Sequence, residues 1–408
     1  MIQKWLQNKN LQALLLHGGI AAFGFLNFML LSRMLAPIHL GEWVLFIAIS
    51  SFAEVVRTGW VVYPLVRLRN SLPPQELLKL RQACTSIGAM AIFALSVVSI
   101  CIYFFVKSNN SWQFIFLGIP ILLLCSFPMY DAIWEGQATQ NFFRILFLRL
   151  MVFGGFFLWL CFLFFTCRTI PLKIVAIVYM SLHAFASAVA FFQQWTTPAF
   201  WKGFHNHFWK QALREGKYSM GSMMNLSLLK TSDTFLIGWF AGNYAVAMYG
   251  VPLKLTEIAD IIQRSFASNA FPELSTLNDQ YTAKWKRITV YLFLFFCIYG
   301  LLGWLFTDEI LVLTAGNAYL NETTRTVWHI LLLWQILLPL ERMSGIWLET
   351  RVSVRTNYWR TLLMLFTNVT GDIFVLTYLK NWVYVAWVSV GVLWVSLMFG
   401  IVQNLNAK

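Results

Sequence analysis

The chain has 408 residues, 59% of them hydrophobic and 12% charged, with a formal net charge of +13. Soluble domains run at about a quarter charged, so this composition excludes a separate soluble domain and requires lipid as the solvent for most side chains. The cations fall in the connections between apolar runs, which excludes a continuous nucleic-acid-binding face.

The first apolar run, residues 11–35, follows Lys4 and Lys9. It lacks the short apolar region and small-residue cleavage site of a signal peptide, and reads as a retained membrane helix. The second run, 41–65, carries Glu54 and Arg57 three residues apart, and a basic stretch over 67–81 follows it. Four more runs, 83–106, 112–134, 143–165 and 175–192, complete a first set of six. Asp131 and Arg149 lie nearer the ends of their runs, where snorkelling to the interface is cheap. The widest polar break, 193–217, is basic and contains Trp195, Trp201 and Trp209, a composition suited to a segment lying on the inner leaflet.

A second set follows at 218–240, 245–270, 288–306, 327–347, 359–379 and 382–402. Its first run carries Lys230 and Asp233; its second carries Lys254, Glu257, Asp260 and Arg264 at steps of three, three and four, expected on one helix face. A basic stretch over 273–287 echoes 67–81, half the chain away. Glu341, Arg342 and Asp372 fall nearer run ends, and the longest outward connection is 307–326. Runs of about 20 residues without strict alternation suit helices rather than β-barrel strands.

The expected fold is therefore all-α integral membrane, with about twelve transmembrane helices in two six-helix lobes. The lobes span 1–195 and 218–408, joined by a basic cytoplasmic linker over 196–217. With the N-terminus inside, eighteen basic residues fall on the inner side and six on the outer, so both termini are expected in the cytoplasm. Matching turns, 35–37 and 240–242, and the placement of Glu54 opposite Asp260 suggest a parallel repeat about an axis along the membrane normal.

Ionisable groups at a helix centre cost about 2.5–3.5 kcal/mol each on insertion scales, so they seldom face lipid. Two readings remain open for those in spans 2, 7 and 8: structural ion pairs, or a hydrated chamber shared by matched halves. Their concentration in three spans favours the chamber. Asn27 and Asn225 either add hydrogen-bonding groups or pack helices. The six cysteines form no CxxC pair, and the lone HxH at His205 and His207 has no partner pattern for a metal. No GxxxxGK[ST], HExxH or GxSxG occurs, so transport without covalent chemistry, a metal or a cofactor is the expected activity.

The stretch Asn27-Phe28-Met29-Leu30-Leu31-Ser32-Arg33-Met34-Leu35-Ala36-Pro37-Ile38-His39-Leu40-Gly41-Glu42-Trp43 resembles the Arg-x-Leu-Gly-Pro-x-x-x-Gly turn of bacterial polysaccharide transporters. These are the lipid-linked oligosaccharide flippases, such as O-antigen flippases, of the multidrug/oligosaccharidyl-lipid/polysaccharide exporter superfamily. Ile49-Ser50-Ser51-Phe52 and Gly59 continue the similarity, while Ala36 stands where the family has glycine. The resemblance implies movement of an undecaprenyl-diphosphate-linked oligosaccharide from the inner to the outer leaflet of the bacterial cytoplasmic membrane, by alternating access. It implies Arg57, Lys230, Lys254 and Arg264 as cavity cations facing the diphosphate and sugar. Glu54, Asp233, Glu257 and Asp260 then either hold those cations in the empty state or couple transport to H+ or Na+. Polysaccharide polymerase machinery is an implied partner. Three alternatives stand beside this one. One is cation-coupled multidrug export, as in the sister branch; another is a membrane polysaccharide polymerase or ligase, which would more often carry a large outward loop; the third is a structural or scaffolding membrane protein, which would not need charges stacked along span 8.

Overall fold

A computed structural model describes residues 9–69, 72–106, 110–166, 169–205, 207–275, 279–348, 350 and 354–406. Every regular element among them is helical. In chain order these are α1 (Lys9–Met34), α2 (Pro37–Arg69), α3 (Pro74–Phe105), α4 (Asn110–Ala138), α5 (Phe142–Thr166) and α6 (Leu172–Phe192). A 3-10 turn (Phe200–His205) precedes α7 (His207–Phe240), α8 (Asn243–Ser275), α9 (Asp279–Leu305) and the short α10 (Thr307–Ala315). The chain ends with α11 (Glu322–Trp347), α12 (Val354–Phe374, continued as a π turn Val375–Leu379) and α13 (Tyr384–Asn406).

Among the described residues, 9 helices are long and apolar enough to cross a membrane. They are α2 to α6, α9 and α11 to α13. The described apolar part of α1, Gly18–Met34, is shorter. The remaining long helices, α7 and α8, are diluted by the charges that the sequence places in their middle. The outward-facing side chains are those lipid would solvate: Phe105, Phe165 and Phe192 are 80% exposed or more. A water-soluble monomer rarely leaves so much contiguous apolar surface uncovered.

Local chemistry sets the helix ends. Pro74 begins α3 where a missing N–H costs nothing. The expected outward connection 307–326 contains α10, which ends where Gly316 takes a φ of 88°. Asn321 then caps α11, its side-chain oxygen accepting the Thr324 N–H at 2.9 Å.

The chain packs as two units, one comprising Met1–Leu35 and Leu45–Ser227, the other Ala36–Val44 and Leu228–Lys408. In the first, α4 packs against α3, α5 and α6, and α1 lies on α5. Trp134 of α4 is among its largest fully buried side chains. In the second, α11 plays the same central role against α8, α9 and α13, with Trp328 buried. In both, the hub is the fourth long helix.

The division falls at Ser227–Leu228, and the segment 36–44 belongs with the second half. There Gly41 lies against the start of α8. A Cβ on it would sit 2.6 Å from the Asn243 carbonyl carbon and closer still to its oxygen. The glycine of the sequence motif thus answers to a close backbone approach. Residues 195–205 are fastened to the first unit: Arg81 donates to the Trp195 carbonyl at 2.8 Å and to Thr197 Oγ1 at 3.0 Å. Asp131 accepts the Thr197 N–H at 2.5 Å and the Thr85 hydroxyl at 2.7 Å. Gly203 packs so closely on α3 that a Cβ would come within 2.6 Å of the Ala83 nitrogen.

Candidate functional site

In the first unit, Glu54 and Arg57 occupy one face of α2, spaced so that i and i+3 side chains meet. Arg57 Nε donates to Glu54 Oε2 at 2.7 Å, and Nη2 reaches the same oxygen. The rest of the guanidinium is enclosed. Nη2 donates to Ser126 Oγ at 3.2 Å, Nη1 to the Leu123 carbonyl at 3.3 Å, and the Tyr130 ring covers its face at 4.0 Å. Arg57 is 0% exposed, whereas Glu54 keeps 19% of its side chain accessible. A third ion shares this place. Arg149 of α5 donates to the Tyr130 hydroxyl at 3.0 Å and lies 4.8 Å from the centre of the same ring. Tyr130 thus stands between two guanidinium groups, with Glu54 as the nearby acid.

Below this, Glu135 takes Arg69 at 3.1 Å and Arg81 at 3.4 Å, while Arg67 pairs with Glu215 at 2.5 Å. These pairs tie helix ends together. Asn27 donates to the Phe153 carbonyl at 3.0 Å, a helix-packing bond.

In the second unit the charges form two groups. In the first, Asp260 of α8 lies between Arg342 of α11 and Lys230 of α7. Arg342 Nη2 donates to Asp260 Oδ1, and Lys230 Nζ stands 3.9 Å from Oδ2. Lys254 and Glu257 pair along α8 at 2.5 Å. Steps of three drift by about 60° around a helix, so Glu257 is 54% exposed while Asp260 is buried at 8%. The expected single charged face is therefore a spiral. The side chain of Arg264 lies outside the described residues, as does that of His205.

The second group begins one turn further along α7, where Asp233 is buried about two turns from Phe240. Tyr249 and Ser389 donate to its Oδ2 at 2.8 and 2.9 Å. Asn368 Nδ2 donates to its Oδ1 at 2.6 Å and to Asp372 Oδ2 at 3.3 Å. Asp372 is 0% exposed, and its Oδ1 has no hydrogen-bond partner. Two carboxyl groups thus share one amide, with no cation bonded to either among the described residues. Charges about 4 Å apart repel by about 4 kcal/mol at an effective dielectric of 20. Two acids buried together in this way would suit a shared proton or a bound cation.

Arg149, Arg342 and Asp372 are ions that sequence position placed near span ends and that the packing brings into these groups. One signal for Asp372 was available: Asn368 and Asp372, at i and i+4, put two polar groups on one face of an otherwise apolar run. Among the described residues no three His, Cys, Asp or Glu side chains gather as a metal would need.

No protein-family model matches the chain, and no curated protein matches it. Solved structures share its architecture. An inward-facing multidrug resistance MATE family transporter of the MOP superfamily superposes with a TM-score of 0.77 at 11% identity, over 95% of this chain and 93% of that one. The lipid II flippase MurJ, in an inward closed conformation, does so with a TM-score of 0.77 at 10% identity, over 96% and 86%. A MOP superfamily transporter from Pyrococcus furiosus gives 0.62 at 11% identity, over 97% and 92%. The chain is a multi-pass helical membrane protein with the fold of these MOP superfamily transporters.

Proposed function

We infer that the protein is a flippase, moving an undecaprenyl-diphosphate-linked oligosaccharide from the inner to the outer leaflet of a bacterial cytoplasmic membrane without covalent chemistry. The observation that carries this reading is the state of Lys230. Ten residues, or about 15 Å of helix, separate it from the end of α7 at Phe240; with that end at the interface, Lys230 comes near the midplane of a bilayer core about 30 Å thick. Yet its side chain is 56% exposed. An ammonium open at that depth faces water or an anionic headgroup. Lys254, 32% exposed, adds a second cation on the neighbouring helix. A diphosphate leaving water needs such donors and compensating charge.

The Asp233–Asp372 pair supplies the coupling step in this reading. It takes up a proton or a sodium ion, and its occupancy biases the second unit between states. The turn resemblance at residues 27–43 and the shared fold with a lipid II flippase support the lipid cargo. The equal fold similarity to a multidrug transporter keeps small-molecule export as the competing reading.

The test is reconstitution in liposomes with a fluorescent undecaprenyl-diphosphate oligosaccharide, its leaflet read by a membrane-impermeant quencher. Wild type should scramble the label under an imposed proton or sodium gradient. The Lys230→Ala, Lys254→Ala double variant should be slower by at least about tenfold, roughly 1.4 kcal/mol of barrier. Wild-type rates from a well-inserted double variant, or export of a cationic dye with no movement of the lipid, would replace this reading.

A further inference from the structure

The Asp260 group raises a problem for any carrier of a polyanion. Two cations in a low-dielectric setting hold a diphosphate well, but transport needs binding weak enough to let it leave. Asp260 lies between those cations and is oriented unlike them. Its carboxylate is 8% exposed, whereas Arg342 is 20% and Lys230 56% exposed. The acid is thus the most recessed of the three and Lys230 the most open. Arg342 grips Asp260 twice, through Nη2 at the carboxylate and through Nη1 at its backbone carbonyl, 3.4 Å away. About one turn to either side of Asp260, α8 meets α11 through uncharged groups. Gln335 donates to the Thr256 carbonyl at 2.8 Å, and Gln263 donates to Gln335 at 3.4 Å.

We propose that Asp260 is a built-in competitor for the anionic cargo. It occupies Lys230 and Arg342 as an internal counter-ion, is partly displaced when a diphosphate bridges the two cations, and recaptures them on release. This assigns Arg342 as a further cargo-binding residue and rests on the flippase reading above. Lys230 and Arg342 outnumber the carboxylate between them, so they attract an anion while the carboxylate limits how tightly it is held. A purely structural ion bridge would use the same contacts, but it predicts the opposite sign on neutralisation, because losing the acid would loosen the helices and weaken every function.

The experiment titrates inorganic pyrophosphate against the full-length protein in lipid nanodiscs and measures lipid flipping in the same preparations. Asp260→Asn should bind pyrophosphate about tenfold more tightly and flip lipid more slowly, a split between binding and turnover. Asp260→Glu, which keeps the charge, should resemble wild type, as should Glu309→Gln, which makes the same charge change on the exposed face of α10. Equal or weaker pyrophosphate binding by Asp260→Asn, with Lys230→Ala still weaker than wild type, would overturn the competitor role and leave the flippase reading standing. Pyrophosphate binding by neither wild type nor Asp260→Asn would overturn both. Should Asp260→Asn fail to fold, Arg342→Gln decides: about tenfold weaker binding supports the assignment, and unchanged binding refutes it.

Discussion

Arg57 offers the sharpest test of whether a charge inside a span serves cargo or packing. Its guanidinium makes two bonds to Glu54, one to Ser126 and one to the Leu123 carbonyl, under the Tyr130 ring, with no exposed surface. Replacing it by methionine keeps the volume but leaves Glu54 with the Thr58 hydroxyl, at 3.1 Å, as its one remaining hydrogen-bond donor among those described. Breaking a buried ion pair from one side typically costs about 3–5 kcal/mol, whereas replacing both partners by neutral groups is often close to neutral. Arg57→Met should therefore lower stability by about 3 kcal/mol, the low end of that range, because Arg149 still offsets part of the Glu54 charge. The Arg57→Met, Glu54→Gln double variant should recover most of that loss, to within about 1 kcal/mol. Thermal unfolding in detergent, followed by the monodisperse fraction on size exclusion, reads both. A single variant as stable as wild type would refute the reasoning, and so would a double variant no better than the single.

Other outcomes follow from the same geometry. Gly41→Ala drives a methyl into the Asn243 backbone, which cannot move aside as a side chain can; it should cost at least about 1–3 kcal/mol in the same unfolding assay. Asp372→Asn should leave the protein folded but, on the coupling role proposed above, abolish the stabilisation that a cation bound at the pair would confer. That stabilisation is about 2.7 kcal/mol at a concentration one hundred times Kd, measured as the melting shift with added sodium or with acidification. A variant that keeps the wild-type shift would rule out the Asp233–Asp372 pair as the cation site. Asp131→Ala removes the acceptor of the Thr197 N–H and leaves the Thr85 and Thr197 hydroxyls only each other as acceptor, costing about 2–3 kcal/mol. It should also loosen residues 195–205 and speed trypsin cleavage at the exposed Lys202 in limited proteolysis, and an unchanged rate there would contradict the fastening of residues 195–205.

The apolar runs made the helical membrane architecture legible because nothing else satisfies a backbone in lipid. Their ends were less legible, since α2, α3 and α7 run well past the apolar stretch into polar residues such as Arg67, Lys79 and Lys210. That shift explains why Arg342 and Asp372 looked peripheral. Depth was counted from the edge of the apolar run, whereas the packing partner sets where an ion ends. Periodicity could pair Glu54 with Arg57, but it carries no information on Tyr130 and Ser126, about 70 residues away on another helix, which enclose Arg57. Likewise, the Asp260–Arg342 and Asp233–Asn368 contacts join residues more than 80 and 130 positions apart. The motif glycine at position 41 was readable as a special position, but its cause, a carbonyl at Asn243, was not.

That last contact has a bearing on synthesis. The segment Ala36–Val44 belongs to the packing unit that begins again only at Leu228, and the partners Glu42 and Asn243 are separated by 201 residues. At about 5–20 residues per second, a nascent chain carries this nine-residue piece unmatched for roughly 10–40 s before its counterpart leaves the ribosome. The early helices must therefore wait in the bilayer with one joint open, a window in which a membrane chaperone or the insertion machinery could hold them.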